Sequence, residues 1–220
     1  MSKVHNEPRT TDGAERATVL ARPPLAGWRS IDIITVAMLG VAFGVGYWGW
    51  DQAYNVLSPA FNGFPPSSGL VGGVWLLAGV VCGLVVRRPG AAVFGELVAA
   101  SVELTLGNSW GATTFVSGLI EGLGVEVVLA VLLYRRFGPV AAALGGALSA
   151  VAEAVFEWSV YYSDYSTGWK LAYAAIFAVS GAVVAGVGGW LLTRALARTG
   201  ALNPFPSGQE LHQVPEARTT

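Results

Sequence analysis

The sequence is short of cysteine, histidine and charge, and each shortage removes a class of function. Cys82 is the only cysteine among 220 residues, so a disulfide framework and a thiolate metal site are both excluded. The two histidines, His5 and His212, stand in polar segments near the chain ends, which takes imidazole out of any metal or proton-relay site in the apolar body. Lys, Arg, Asp and Glu make up 12% of the chain, against about 25% in soluble domains. No Gly-x-x-x-x-Gly-Lys-Ser/Thr phosphate loop occurs, so any uphill work draws on an ion gradient or a separate ATPase. What is abundant is apolar: 53% hydrophobic residues and 29 glycines, the composition of a membrane protein.

Hydropathy places six segments near the roughly 20 residues that a bilayer-spanning helix needs: Ile31–Tyr54, Gly69–Val86, Ala91–Leu106, Thr114–Tyr134, Pro139–Tyr162 and Leu171–Leu196. Turn-forming stretches separate them: NGFPPSSG, RRPG, GNSWG, RRFGP and SDYSTG. The expected fold is all-α, a single six-helix transmembrane bundle over residues 28–198. Residues 1–27 are polar, contain proline and lack an apolar signal core, so they are expected to be a disordered tail rather than a signal peptide. Residues 199–220 are expected to form a second tail. Arg16, Arg22, Arg29, Arg87, Arg88, Arg135, Arg136, Arg194 and Arg198 fall on one side of this six-span arrangement, and Lys170 falls on the other. The positive-inside rule then puts both termini and tails in the cytoplasm of a multi-pass plasma-membrane protein.

Six glutamates lie inside these spans: Glu96, Glu103, Glu121, Glu126, Glu153 and Glu157. None of the three segments that hold them contains a lysine or arginine. A charge at the bilayer centre costs roughly 2.5–3.5 kcal/mol on insertion scales, so such groups face a cavity, pair with a cation or hold a proton. Glu96 and Glu103 are seven residues apart, which places them about 20° apart on one helix face and about 10 Å apart in depth. Glu153 and Glu157 also share a face, and Glu121 falls in the outer half of its span with Glu126 nearer the middle. Aromatic residues, among them Tyr54, Trp75, Trp110, Trp158, Tyr161 and Tyr162, gather toward the same outer ends. Two explanations stand for these: an interfacial belt, or a stacking box for a flat cation. Small residues recur four apart at Gly40 and Gly44, and again at Gly181, Ala185 and Gly189, a spacing that lets helices approach closely.

The segment Arg87-Arg88-Pro89-Gly90-Ala91-Ala92, followed by Glu96, Ala99-Ala100, Glu103 and Leu106-Gly107-Asn108, resembles the YkoE-type substrate-binding subunits (S components) of energy-coupling factor (ECF) transporters. Glu121-Gly122-Leu123-Gly124-Val125-Glu126 resembles the Gln-Gly-Leu-Gly-Ala-Glu of that family, and Thr199-Gly200-Ala201-Leu202-Asn203 is similar after the last helix. The likeness runs from about Trp28 to Leu211. It implies a six-helix subunit that binds thiamine or its hydroxymethylpyrimidine precursor from outside, with a transmembrane coupling subunit and two ATPases as partners. The family's glutamine is Glu121 here, which adds negative charge. The Ala-x-x-x-Ala docking pattern of several S components is not kept on the first helix, where Ala37 is followed by Val41.

The leading expectation is a non-enzymatic binding subunit in which Glu103, Glu121, Glu126 and Glu157 form an anionic wall. Asn108 supplies a polar edge contact, and Trp75 with Trp158 the stacking surface. Glu96, Gly40 and Gly44 are assigned to structure or coupling. The alternative is a stand-alone proton- or cation-coupled permease for a small cationic solute. A membrane enzyme using paired glutamates and a metal is the third class, but with no imidazole in the spans it is left with all-oxygen coordination. No catalytic residue, resident metal, cofactor or nucleic-acid partner is expected.

Overall fold

No proline and no pair of adjacent glycines interrupts the first apolar run, and it coils as one long helix. In the computed structural model, which describes residues 27–213 and side chains up to residue 210, this helix, α1, spans Ser30–Leu57. Asp32 accepts from the Arg29 backbone N–H at 2.9 Å and from its guanidinium at 2.7 Å, and Arg88 stands 3.8 Å from the same carboxylate. After α1 come α2 (Gly69–Gly72), α3 (Leu77–Val86), α4 (Ala91–Leu106), α5 (Thr113–Val131), α6 (Pro139–Val160) and α7 (Thr167–Ser180). A π-helical stretch, Gly181–Gly188, joins α7 to α8 (Gly189–Arg198), and α9 (Pro206–Gln213) packs back on α8 and α3. The described residues contain no strand. The tail expected over 1–27 lies, up to residue 26, outside the described residues, as do residues 214–220 and the side chains of His5 and His212.

Among the described residues, five helical stretches are long and apolar enough to cross a membrane: Ser30–Phe61, Pro65–Val86, Thr113–Val131, Pro139–Val160 and Thr167–Arg198. The sixth expected span coincides with α4, whose 16 residues reach about 24 Å at 1.5 Å per residue, short of a hydrocarbon core of roughly 30 Å. Helix α4 is packed by α1, α3 and α5. Its contact with α1 is close because α1 presents glycines there. A Cβ added at Gly40 would lie 2.7 Å from Val98 Cβ, and one at Gly44 would lie 2.5 Å from the Ala99 carbonyl oxygen.

The second span departs from the uninterrupted helix that hydropathy predicts over 69–86: the chain leaves the helix after Gly72 and resumes at Leu77. Adjacent Gly72 and Gly73 weaken the helix there, yet a break inside the bundle also frees backbone N–H groups that need acceptors. The start of α3 has no capping side chain of its own. The Tyr47 hydroxyl of α1 accepts from Ala78 N–H at 2.7 Å, and Glu96 of α4 accepts from Gly79 N–H at 2.7 Å. Tyr47 in turn donates to Glu96 at 3.3 Å. Helix α4 has Gly90 as its N-cap residue, again without a side-chain cap, and Glu126 of α5 accepts from Ala92 N–H at 2.9 Å. Two of the six glutamates thus serve as N-terminal caps supplied from a neighbouring helix.

Replacing Gly44 by leucine should lower stability by about 1–3 kcal/mol through overpacking against α4. Gly46→Leu, where nothing lies within 4 Å of the added Cβ, should leave thermal unfolding in detergent unchanged. Glu96→Ala leaves the Gly79 amide and the Tyr47 hydroxyl without their acceptor and should cost about 1–3 kcal/mol, whereas Glu96→Gln keeps an acceptor oxygen and should lose less. Equal losses in the two Glu96 variants would show that charge, not capping, is what matters at this position.

Candidate functional site

The end of the bundle away from the arginines opens into a cleft whose empty space, its open mouth included, is about 710 Å³. Its walls come from the last turns of α1, the broken part of the second span, the second half of α4, the first half of α5, the last turns of α6 and the middle of α7. Glu103, Glu121, Glu153 and Glu157 line it, and among the described residues no lysine or arginine does. Three of the carboxylates stand beside small buried residues of their own helices: Ala99 and Ala100 near Glu103, Gly118 and Gly122 near Glu121, Ala150 and Ala154 near Glu153.

The carboxylates differ in how far the protein satisfies them. Glu157 accepts from the Tyr173 hydroxyl at 2.6 Å. Glu153 is approached by the Ser117 hydroxyl, but its Oε2 is buried without a partner. Glu103 accepts from Asn108 Nδ2 at 3.2 Å. Behind it stands Asp51 of α1, which accepts from Trp75 Nε1 at 2.9 Å. Asp51 Oδ2 finds no protein donor and its carboxyl lies within hydrogen-bonding reach of Glu103. Two carboxyl groups hydrogen-bond through a shared proton, because both are acceptors only when ionised. The Glu121 carboxylate makes no hydrogen bond to the described side chains and opens onto the cavity.

Two aromatic groups flank the opening. Trp75 lies edge to face with Tyr54 and Trp110, ring centroids 5.6 and 5.7 Å apart. Across from them, Tyr162 packs on Tyr173 with centroids 4.9 Å apart, and Tyr161 meets Thr113 hydroxyl to hydroxyl at 2.5 Å. The arrangement offers negative charge at the base, ring faces and edges at the sides and phenol groups at the rim, a chemistry suited to a flat cation.

Of the residues singled out from sequence, the cavity gathers Glu103, Glu121, Glu157 and Trp75. Asn108 stands beside them with its polar atoms engaged: Nδ2 donates to Glu103 and Thr114, and Oδ1 accepts from Trp110 and Gly111 N–H. It shapes the α4–α5 turn and holds Glu103. Glu126 is elsewhere, capping α4 and accepting from the Tyr134 hydroxyl. Trp158 is not on the wall either. It packs on the core cluster containing Leu76, Tyr173 and Phe177, and its indole N–H is buried without an acceptor. Sequence reading passed over Asp51 and placed Tyr47 and Tyr54 only among the aromatic residues of the outer ends, although a further signal existed. Gly40, Gly44, Tyr47 and Asp51 follow one another at three- and four-residue steps, and all are buried on one face of α1.

Comparison with known proteins agrees with this architecture. A family profile described as "ABC-type cobalt transport system, permease component" matches residues 31–152. The chain is 32% identical over 188 residues to "Putative HMP/thiamine permease protein YkoE" of Bacillus subtilis (strain 168), a match covering 85% of this chain and 94% of the relative. A solved structure described as "Crystal structure of an S-component of ECF transporter" superposes with a TM-score of 0.80 at 33% identity, covering 84% of this chain and 94% of the other. These relatives are transport components, not enzymes, and the several apolar helices make this chain a membrane-embedded transporter component. The chain belongs to the family of YkoE-type S components of ECF transporters.

Proposed function

We propose that the chain is the substrate-binding subunit of an ECF-type importer, taking up thiamine or its hydroxymethylpyrimidine precursor from outside the cell. It would hand the ligand on in complex with a transmembrane coupling subunit and two ATPases. The observation that carries this reading is the cavity walled by Glu103, Glu121, Glu153 and Glu157 with no basic side chain among its lining residues. Thiamine brings a permanent thiazolium charge and an aminopyrimidine whose donors can meet carboxylates, and both rings are flat enough to lie against Trp75. The relative from Bacillus subtilis is named for this ligand class. Cobalt, named in the family description, suits imidazole donors better than a wall of carboxylates and phenols.

In this proposal residues 28–198 form the six-helix transmembrane body in the plasma membrane, with α4 as the short third span. The arginine-rich end and both tails, 1–27 and 199–220, lie in the cytoplasm, so that the cavity faces outward. Glu121, Glu103 and Glu157 hold the cationic and amino groups of the ligand, and Trp75 supplies the stacking surface. Asn108 acts through Glu103, while Glu126 and Trp158 support the fold.

Thiamine added to the purified protein should quench tryptophan fluorescence saturably, since Trp75 and Trp110 line the cavity. A folded protein that binds neither thiamine nor hydroxymethylpyrimidine would overturn the substrate assignment. Glu121→Gln, which restores the residue of the family pattern, should weaken thiamine binding by more than about tenfold, or about 1.4 kcal/mol. It should leave the uncharged precursor little affected, narrowing the preference for the cation. In vesicles, uptake should require ATP and the partner subunits; accumulation by this chain alone under a proton gradient would favour the stand-alone permease.

A further inference from the structure

At the arginine-rich end a second cleft, of about 370 Å³, lies where α3 ends, α6 begins and α8 meets α9. Arg87 and Arg194 form its cationic walls, and Phe137 and Trp190 its aromatic ones. Arg87 closes α3 in the left-handed conformation, φ 57°, a region that side-chain-bearing residues seldom occupy. Its guanidinium lies 4.6 Å over the Phe137 ring. Nε donates to the Leu84 carbonyl, and both terminal nitrogens grip the Glu210 carboxylate of α9. Arg194 lies 4.9 Å over the Trp190 ring, and among the described residues no carboxylate stands within ion-pairing distance of it.

The cleft is therefore built for an oxyanion and is half filled by one of the protein's own. A guanidinium fork that takes a carboxylate through two nitrogens is equally matched to phosphate. Exposed Arg135 and Arg136 adjoin Phe137 and keep the local balance positive after Glu210 is counted. The surroundings decide between a soluble and a lipid phosphate. Next to the lining residues Pro139 and Trp190 stand Val140, 71% exposed, and Leu191, 55% exposed, on helices that continue as apolar membrane-crossing stretches. A headgroup seated between the arginines has hydrocarbon-facing surface directly beside it for its acyl chains.

We propose that this cleft binds the phosphate of an anionic phospholipid in the leaflet at the arginine-rich end, held by Arg87 and Arg194, with Glu210 displaced from Arg87 as the headgroup enters. Basic clefts between helix ends recognise lipid headgroups in this way. The lipid would clamp the ends of α3, α6 and α8 together independently of the acidic cavity at the other end.

Native mass spectrometry of the delipidated full-length protein tests this, using phosphatidylglycerol and phosphatidylcholine of identical acyl chains. Phosphatidylglycerol should be retained at least about fivefold more, the factor expected from one arginine at an anionic surface. Arg194→Gln should reduce its retention by about fivefold, Arg194→Lys by less, and Glu210→Gln should increase it. Arg194 is exposed, so an unchanged melting temperature can verify that its variants remain folded. Equal retention of the two lipids, or retention of phosphatidylglycerol unaffected by Arg194→Gln, would overturn the proposal. So would competition by millimolar inorganic phosphate or glycerol 3-phosphate as effective as the lipid, since the occupant would then be a soluble phosphate.

Discussion

The hydrogen bond from Gly79 N–H to Glu96 is the contact on which the cavity depends. A helix that stops inside a bilayer exposes amides with no water to receive them, at several kcal/mol each if left unpaired. Glu96 and Tyr47 meet that demand at the start of α3. With the break stabilised, the chain between Gly72 and Leu77 is free of helical geometry, and Trp75 can turn its indole toward Asp51 and its ring toward the cavity. Tyr47 comes from α1 and Glu96 from α4, so the cap forms only if these helices lie close together, which Gly40 and Gly44 permit. Small residues, an internal cap and a displaced tryptophan are parts of one construction.

The same contact explains what the sequence could and could not reveal. Apolar length located the helices, and α4 has the limits that hydropathy assigns it. The unusual carboxylates were equally visible, because an uncompensated charge in an apolar run stands out in composition. Their division of labour was not. A local cap is recognisable because acceptor and donor sit within three residues, whereas Glu96 caps an amide 17 positions away and Glu126 one 34 positions away. Caps supplied by another helix have no fixed spacing, so six glutamates that look alike in sequence separate only once the helices are packed.

Trp158 and Asp51 failed to be read for different reasons. Residues adjacent on a helix point about 100° apart, so Glu157 and Trp158 could not both face one cavity, and the carboxylate takes the cavity side. That conflict was present in the sequence. Asp51 was legible only through its neighbours: an acid in step with Gly40, Gly44 and Tyr47 belongs to the face that meets α4. Its meeting with Glu103 required the crossing of α1 and α4, which depends on side-chain volume rather than on periodicity.

The empty cavity must remain tolerable without its ligand, and the four lining glutamates differ in how this is achieved. Tyr173 donates to Glu157, Ser117 approaches Glu153, and Asn108 with the Asp51 carboxyl attends Glu103. Each of these partners lessens the gain available when a cation arrives, because a carboxylate already hydrogen-bonded has less solvation to recover. Glu121 has no comparable partner among the described side chains, and it shares the cavity wall with Glu103, Glu153 and Glu157. Under the proposed function, the electrostatic return from a cation would therefore be concentrated at Glu121, while the better-satisfied carboxylates would orient the ligand's donors. In that arrangement affinity for charge and recognition of shape would reside on different residues, and the family's glutamine at that position would retain the second while giving up much of the first.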